Sequence, residues 1–272
     1  MNRLQPAVVD EPELQRALDC GELIRLYQPV FDLRTGALAQ VEALLRWDHP
    51  HRGLLAPGEF LVGEDDSTLL VRIGWSVVIE AARRAGEWRT RFPERPVTVS
   101  VNVFDAHLER KDLPGRVAHL LHDNEIEGPG ALIFEVGEHH FRRPRTRERD
   151  RLGVLQNLDV AVVVDDFGAS VATELGPDEL RDWSVEQLEF YGRFPVDGVK
   201  LDPECVVRLA TTARLRTVVD AAHDAGLLVT ALAVEDEQMV TRAHGAGCDL
   251  AQGFYFARPE RPSRIDELLS AR

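Results

Sequence analysis

The segment IRLYQPVFDLRTGALAQVEALL, Ile24–Leu45, contains two apolar runs separated by a short polar connection. Residues 24–31 and 38–45 have the length and apolar content of β-strands. The connection has only six residues, Asp32 to Ala37, which is too short for the helical crossover that parallel strands need. We therefore predict that these two strands form an antiparallel hairpin at the start of the fold.

Beyond the hairpin, apolar β-branched runs alternate with longer amphipathic segments, the pattern of β/α repeats around a parallel sheet. Eight strands and intervening helices predict an α/β fold, a TIM-like (β/α)8 barrel with an antiparallel first strand. We expect a tail at residues 1–9 and a single stand-alone barrel domain at 10–272. The remaining predicted strands are Val97–Val103, Leu132–Val136, Val160–Val164, Gly198–Leu201, Leu228–Ala233 and Asp249–Phe254, and the clearest helices are Leu69–Trp88, Leu152–Leu158 and Leu215–Ala225.

Composition limits the classes of function. The chain has 272 residues, of which 44% are hydrophobic and 29% charged, as in ordinary globular domains. A net charge of −14 argues against nonspecific binding of nucleic acid. No apolar run approaches the roughly 20 residues of a membrane span, and the acidic start lacks a secretion signal, so a cytoplasmic location is expected. Three widely separated cysteines predict reduced thiols rather than disulfides or a zinc site.

Two adjacent carboxylates, Asp165 and Asp166, follow the apolar run that ends at Val164. Neighbouring carboxylates repel each other unless a cation or a proton intervenes, and Mg²⁺ or Mn²⁺ prefers such oxygen ligands. An ordinary turn is the alternative, since Asp and Gly tolerate unusual backbone angles.

Further polar residues lie on or at the ends of other predicted strands, where a barrel gathers its catalytic groups. Each has a structural alternative: Asn102 as a helix cap, Glu135 with Glu138 as a solvated pair, and Lys200 as a surface partner of Asp202. Together they match a two-metal hydrolytic site, in which two cations activate a water and stabilise both oxygens of a phosphodiester. A glycosidase would need only two carboxyls. The full set is Glu42, Asn102, Glu135, Asp165, Asp166, Lys200 and Gln252.

The runs YQPVFDLRTGALAQVEALLRW, VSVNVF, FEVGE, VVVDDFG, VDGVKLD and GCDLAQGFYFARP resemble, in order over about residues 10–262, the EAL-domain family of cyclic di-GMP phosphodiesterases. The resemblance includes the family's naming triplet, Glu42-Ala43-Leu44. It implies a barrel with a reversed first strand and the opening of cyclic di-GMP to linear pGpG. It also leaves a homodimer and a protein partner open.

The resemblance further implies roles for single residues. One Mg²⁺ or Mn²⁺ would be held by Glu42, Asn102, Glu135 and Asp165, a second by Asp165 and Asp166, and Gln252 would help to hold the metal–water cluster. Lys200 would lie beside the attacking water, Glu138 would steady the loop after the Asp pair, and Glu235 would be a further catalytic position. Contacts to the ligand would come from Gln28, Leu45, Arg46 and Pro259.

The chain departs from the family pattern after the seventh strand. Where the family has Ala-Glu-Gly-Val-Glu, this chain has Ala231-Leu232-Ala233-Val234-Glu235. The lost glutamate supports the second metal and its water in the family, and Leu232 supplies no ligand, proton acceptor or charge. Ala233 replaces a glycine and is expected to reshape the turn.

The segment between Asp166 and Lys200 is also longer than in similar family members, with the extra residues around 171–185. Pro177 is predicted to begin a short added helix. The insertion would cover the pocket, block dimerisation, or form a tolerated surface loop. Three functions follow: an impaired enzyme acting as a cyclic di-GMP receptor or interaction module, an active phosphodiesterase, or an interaction module that no longer binds the nucleotide.

Overall fold

A computed structural model gives the structure of the protein and describes residues 9–61, 68–141 and 146–271. The predicted N-terminal tail lies outside the described residues except for Val9, which packs in the core. The strands are β1 (Leu23–Asp32), β2 (Leu38–His49), β3 (Gly53–Leu55), β4 (Thr98–Asn102), β5 (Leu132–Gly137), β6 (Ala161–Phe167), β7 (Gly198–Leu201), β8 (Leu228–Ala231) and β9 (Leu250–Ala251). The helices are α1 (Glu11–Asp19), α2 (Thr68–Arg91), α3 (Asp105–Leu108), α4 (Leu113–Asp123), α5 (Glu138–Phe141), α6 (Thr146–Asn157), α7 (Pro177–Tyr191), α8 (Pro203–Arg208), α9 (Thr212–Asp224), α10 (Glu237–Ala246) and α11 (Pro262–Ser270), with a 3-10 turn at Pro57–Glu59.

Eight of these strands close into a barrel, which confirms the predicted fold class. β2 and β4 to β9 follow one another around the sheet, and β1 closes the ring by pairing with both β2 and β9. Both pairings of β1 are antiparallel, whereas β2 pairs with β4 in parallel, as do the strands that follow. The six-residue connection therefore makes the hairpin that the sequence predicts.

The observed strands differ from the predicted ones in three places. β3 adds to the outer end of β2 and is too short for its periodicity to show in the sequence. β8 ends at Ala231 rather than Ala233, because Ala233 has a left-handed φ of +48° and leaves the extended conformation. β9 is limited to Leu250–Ala251. The N–H of Gln252 still donates to the carbonyl of Ala231 at the end of β8, but the carbonyl of Gln252 and the N–H of Tyr255 bond to Val234 in the following turn.

The predicted short added helix at Pro177 is a full crossover helix. α7 begins at Pro177 but runs for 15 residues, and it packs beside α9 on the outside of the barrel. Its buried residues include Leu180, Leu188 and Tyr191. The extra sequence therefore builds part of the outer helical layer, and the cavity at the barrel mouth is lined by other segments.

The core lies between the barrel and its helices. Outward-facing residues of β2, including Val41, Ala43 and Trp47, are at most 2% exposed. Tyr27 of β1 and Trp88 of α2 pack edge to face, with their ring centroids 5.1 Å apart. On the inner side of the strands, polar residues such as Glu42, Glu135 and Lys200 are buried within the barrel. In the part of the chain that is described, every helix is too short or too polar to cross a bilayer.

Candidate functional site

Lys200 lies at the centre of a carboxylate cluster inside the barrel mouth. Its Nζ donates hydrogen bonds to Oε2 of Glu42 and to Oε2 of Glu135, both at 2.8 Å. Oδ1 of Asp165 lies 3.8 Å from the same nitrogen. The lysine side chain is only 6% exposed, so these ionic contacts are shielded from water.

Side-chain amides complete the ring around Glu42. Asn102 donates to Oε1 of Glu42 at 2.9 Å, and Gln252 donates to Oε2 at 2.8 Å. Nε2 of Gln252 also lies 3.3 Å from Oε1 of Gln28, whose own Nε2 donates to the carbonyl of Ala257. The structure thus brings Asn102 and Gln252 to the same carboxylate, and Gln28 joins them through Gln252.

Strand register explains why residues distant in sequence meet here. Asn102 and Glu135 are paired residues of β4 and β5, and Gly137 and Asp165 are paired residues of β5 and β6. Side chains alternate along a strand, so Glu135 and Gly137 both face the barrel axis. The carboxyl ends of the parallel strands meet at one rim, as the sequence analysis expects.

The two adjacent aspartates point to different environments. The β6 register is interrupted between Val164 and Phe167, and Asp166 has a left-handed φ of +54°. Asp165 is consequently directed toward Lys200 with its side chain 14% exposed, whereas Asp166 is exposed. A strained residue of this kind is typical of a functional site.

Burial and mutual repulsion shift the pKa values of the acids. Burial and the nearby Glu42 raise the pKa of Glu135 to about 8. Burial also raises the pKa of Asp165. Partial loss of hydration at the cavity wall and the negative charge of Asp202 raise the pKa of the more exposed Asp166. Burial opposes the charge on Glu42, but the attraction of Lys200 and the hydrogen bonds from Lys200, Gln252 and Asn102 together outweigh it and lower the pKa. Burial opposes the charge on Lys200, but Asp165, Glu135 and Glu42 outweigh it and hold the lysine pKa well above its usual value.

The metal-free protein is expected to lose stability as the pH rises from about 4.5 to about 8. A glutamate in the unfolded chain titrates near 4.5 and Glu135 in the folded chain near 8, so the native state binds more protons across this interval. The lowered pKa of Glu42 acts below pH 4.5 and leaves the trend intact. Urea unfolding in EDTA at pH 5 and pH 8 measures the difference. Glu135→Gln should reduce it, and an unchanged difference in that variant would contradict the assignment.

The oxygen atoms that could act as metal ligands at this site suit a hard divalent cation. Carboxylate and amide oxygens surround Lys200, and Oδ1 of Asp165 and Oε1 of Gln252 are buried without a hydrogen-bond donor among the described residues. Within those residues, groups of three or more His, Cys, Asp or Glu are not spaced to hold a metal. The ammonium group of Lys200 lies between Glu42 and Glu135 and bonds an oxygen of each.

A cavity of about 450 Å³ opens above this cluster. Leu232 and Glu235 line it together with Asp165 and Asp166, so the position that departs from the family pattern lies in the site itself. Leu232 presents a partly exposed apolar side chain there. Further residues that were not predicted as site residues also line the cavity. They lie after β7, β8 and β9: Asp202, Pro203, Ala233, Gly253 and Phe254.

The turn after β8 is tightly constrained. A Cβ on Gly253 would lie 2.1 Å from the carbonyl oxygen of Val234, so this close approach requires glycine. Ala233 in the same turn holds a φ of +48°, a region that strains any residue with a Cβ. The lining of the cavity beside Leu232 is therefore fixed by backbone geometry.

Ala233→Gly is expected to raise the free energy of unfolding by about 1 kcal/mol, because glycine adopts the left-handed conformation without the Cβ penalty. Denaturant unfolding at fixed pH gives the value. Ala231→Gly is the control, since Ala231 lies in strand β8 and glycine weakens a strand. A less stable Ala233→Gly protein would show that the turn is not strained.

Four predicted residues lie outside the carboxylate cluster. The side chain of Leu45 packs in the hydrophobic core, because it faces away from the barrel axis, so only its backbone is available to a ligand. Arg46 is partly buried, and its Nη1 donates to the carbonyl of Leu45 at 2.7 Å. Pro259 is partly buried and next to Glu260, which bridges to Tyr27. Glu138 accepts hydrogen bonds from Ser170 and Tyr191 and thereby joins the turn after β6 to α7.

Comparison with known proteins identifies the family. The model of the EAL domain matches residues 11–259. The chain belongs to the EAL domain family. An uncharacterized protein of Mycobacterium tuberculosis is 31% identical over 250 residues, covering 89% of this chain and 76% of that protein. Cyclic di-GMP phosphodiesterase RocR of Pseudomonas aeruginosa is 28% identical over 260 residues, covering 93% of this chain and 61% of RocR.

A solved EAL structure supports the same assignment. The phosphodiesterase PaMucR in complex with c-di-GMP superposes with a TM-score of 0.80 at 29% identity, covering 93% of this chain and 98% of that chain. The resemblance stated from the sequence is confirmed at the level of family and fold. The chain is thus an EAL domain whose mouth contains Leu232.

Proposed function

We propose that this EAL domain binds cyclic di-GMP at the barrel mouth and has lost efficient hydrolysis, so that it acts as a receptor or an interaction module for that nucleotide. The observation that carries the proposal is the position of Leu232 in the cavity lining, beside an otherwise nearly complete set of polar groups. The 29% identity to a phosphodiesterase seen in complex with c-di-GMP supports the choice of ligand.

Mg²⁺ or Mn²⁺ is the proposed cofactor. Glu42, Asn102, Glu135 and Asp165 would hold one cation, and Asp165 with Asp166 would hold a second, helped by Gln252. When bound, such cations lower the pKa of a water and stabilise charge on a phosphodiester. The protein itself contributes the buried setting of Glu42 and Glu135, and Lys200 would supply a charge beside the attacking water.

Loss of hydrolysis follows from the side chain at position 232. A carboxylate there would accept a proton or help to hold the second cation, and leucine does neither. Because groups in such a site act together, removing one member lowers the rate far more than it lowers binding. Contacts to the ligand through Gln28, Arg46 and Pro259 do not depend on that carboxylate.

A hydrolysis assay tests the proposal. Purified protein is incubated with cyclic di-GMP and Mg²⁺ or Mn²⁺, and the nucleotides are separated by chromatography. We expect the wild-type protein to form little pGpG. The Asp165→Ala variant should form about the same background amount. Rapid formation of pGpG that disappears in Asp165→Ala would establish an active phosphodiesterase. Absence of both binding and turnover would leave an interaction module without the nucleotide. A homodimer and a protein partner remain proposals for the same domain.

A further inference from the structure

At the end of strand β5, an imidazole lies where the side chain of the last strand residue would otherwise be. Gly137 is the last residue of β5 and faces the barrel axis, two positions after Glu135. A Cβ on Gly137 would lie 2.6 Å from Cε1 and 2.7 Å from Nδ1 of His139. The ring of His139 therefore occupies the space that the side chain of residue 137 would fill, and only glycine leaves room for it.

Asp105 and the register of β5 show where this ring lies on the rim. Nε2 of His139 is 3.5 Å from Oδ1 of Asp105, at the start of α3 after β4. On the other side, Gly137, over which the ring lies, pairs with Asp165 of β6. The imidazole thus lies between the ends of β4 and β6, and its side chain is 66% exposed.

The lining of the barrel mouth is rich in negative charge. The cavity lining contains five carboxylates, Glu42, Asp165, Asp166, Asp202 and Glu235, and one lysine. Lys200 already donates to two buried carboxylates. An exposed imidazole at the rim can donate a hydrogen bond to a phosphate oxygen of a ligand bound there.

We propose that His139 contacts a phosphate group of the bound dinucleotide, held on the β5 side of the barrel mouth by the absence of a Cβ at Gly137 and by Asp105. This inference rests on the proposed function and adds a binding residue to it. Nucleotide binding should depend both on the ring and on its place over Gly137.

Two substitutions separate these requirements. His139→Ala removes the ring, whereas Gly137→Ala keeps it and displaces it, because the new Cβ would lie within 2.7 Å of two ring atoms. Calorimetric titration with cyclic di-GMP in Ca²⁺ should show an affinity about 10-fold weaker for each variant. The double variant should bind no more weakly than either single variant, because both changes remove one contact.

The control is His119→Ala, which removes an imidazole that is 78% exposed, paired with Asp123 on α4 and not part of the cavity lining. It should bind within twofold of the wild type, and Mn²⁺ titrations should be unchanged in all variants. As a second readout, ring nitrogen signals of ¹⁵N-labelled histidine, assigned to His139 by their loss in His139→Ala, should shift at saturating nucleotide.

Three results would overturn the inference: His139→Ala binding within twofold of the wild type, additive losses in the double variant, or His139 signals that do not shift. Wild-type protein that binds no cyclic di-GMP would overturn the proposed function together with this inference. The wild-type titration alone shows that case, so the two failures are distinguishable.

Discussion

Leu232→Glu is expected to increase the rate of cyclic di-GMP hydrolysis by about 10²-fold or more in Mg²⁺ or Mn²⁺, the range that a catalytic acid or base typically supplies. Leu232 lines the cavity with Asp165 and Asp166, so a carboxylate at this position would lie among the groups proposed to hold the metals. Initial rates of pGpG formation give the ratio.

Two controls make this result specific. Leu232→Gln has nearly the same shape as the glutamate variant but no charge, and it should hydrolyse the nucleotide as slowly as the wild type. Adding Asp165→Ala to Leu232→Glu should abolish the gained activity. If Leu232→Glu does not increase the rate at all, the leucine is not the only block. The longer segment between β6 and β7 would then be the next element to change.

Lys200→Met is expected to lower the free energy of unfolding by about 3–5 kcal/mol in EDTA at pH 8, the cost of leaving buried charges without their partner. The lysine is 6% exposed and lies 2.8 Å from oxygens of both Glu42 and Glu135. Its removal leaves these two acids and Asp165 facing one another inside the barrel. Denaturant unfolding curves measure the loss.

Lys111→Met is the matched control, because Lys111 is exposed and its replacement should change stability little. Glu135→Gln in the Lys200→Met background should recover part of the loss, since it removes one of the repelling charges. Equal losses in Lys200→Met and Lys111→Met would mean that the cluster does not depend on the lysine charge.

The fold and the carboxylate cluster were predictable because local sequence limits them strongly. Six residues between two apolar runs leave no alternative to a hairpin, which reverses β1. Asn102, Glu135 and Lys200 could be placed at one rim because the carboxyl ends of parallel strands share an edge. These predictions needed only strand order and alternation, and the residues do meet around Glu42.

The remaining features depend on backbone geometry that the sequence pattern does not show. Ala233 ends β8 early through a left-handed conformation that glycine, not alanine, usually signals. His139 reaches the rim because Gly137 has no Cβ, which is a relation between two side-chain positions rather than a motif. α7 is longer than predicted because it is the crossover helix between β6 and β7, a role set by its packing rather than by its first residues.

The most direct test is calorimetric titration of the purified protein with cyclic di-GMP, first in Mg²⁺ and then in Ca²⁺, with analysis of the recovered nucleotide. We expect saturable binding of cyclic di-GMP in both ions and recovery of the intact nucleotide. Recovery of pGpG from the Mg²⁺ titration would show that hydrolysis survives the change at Leu232. Absence of binding in both ions would contradict the nucleotide-receptor function itself.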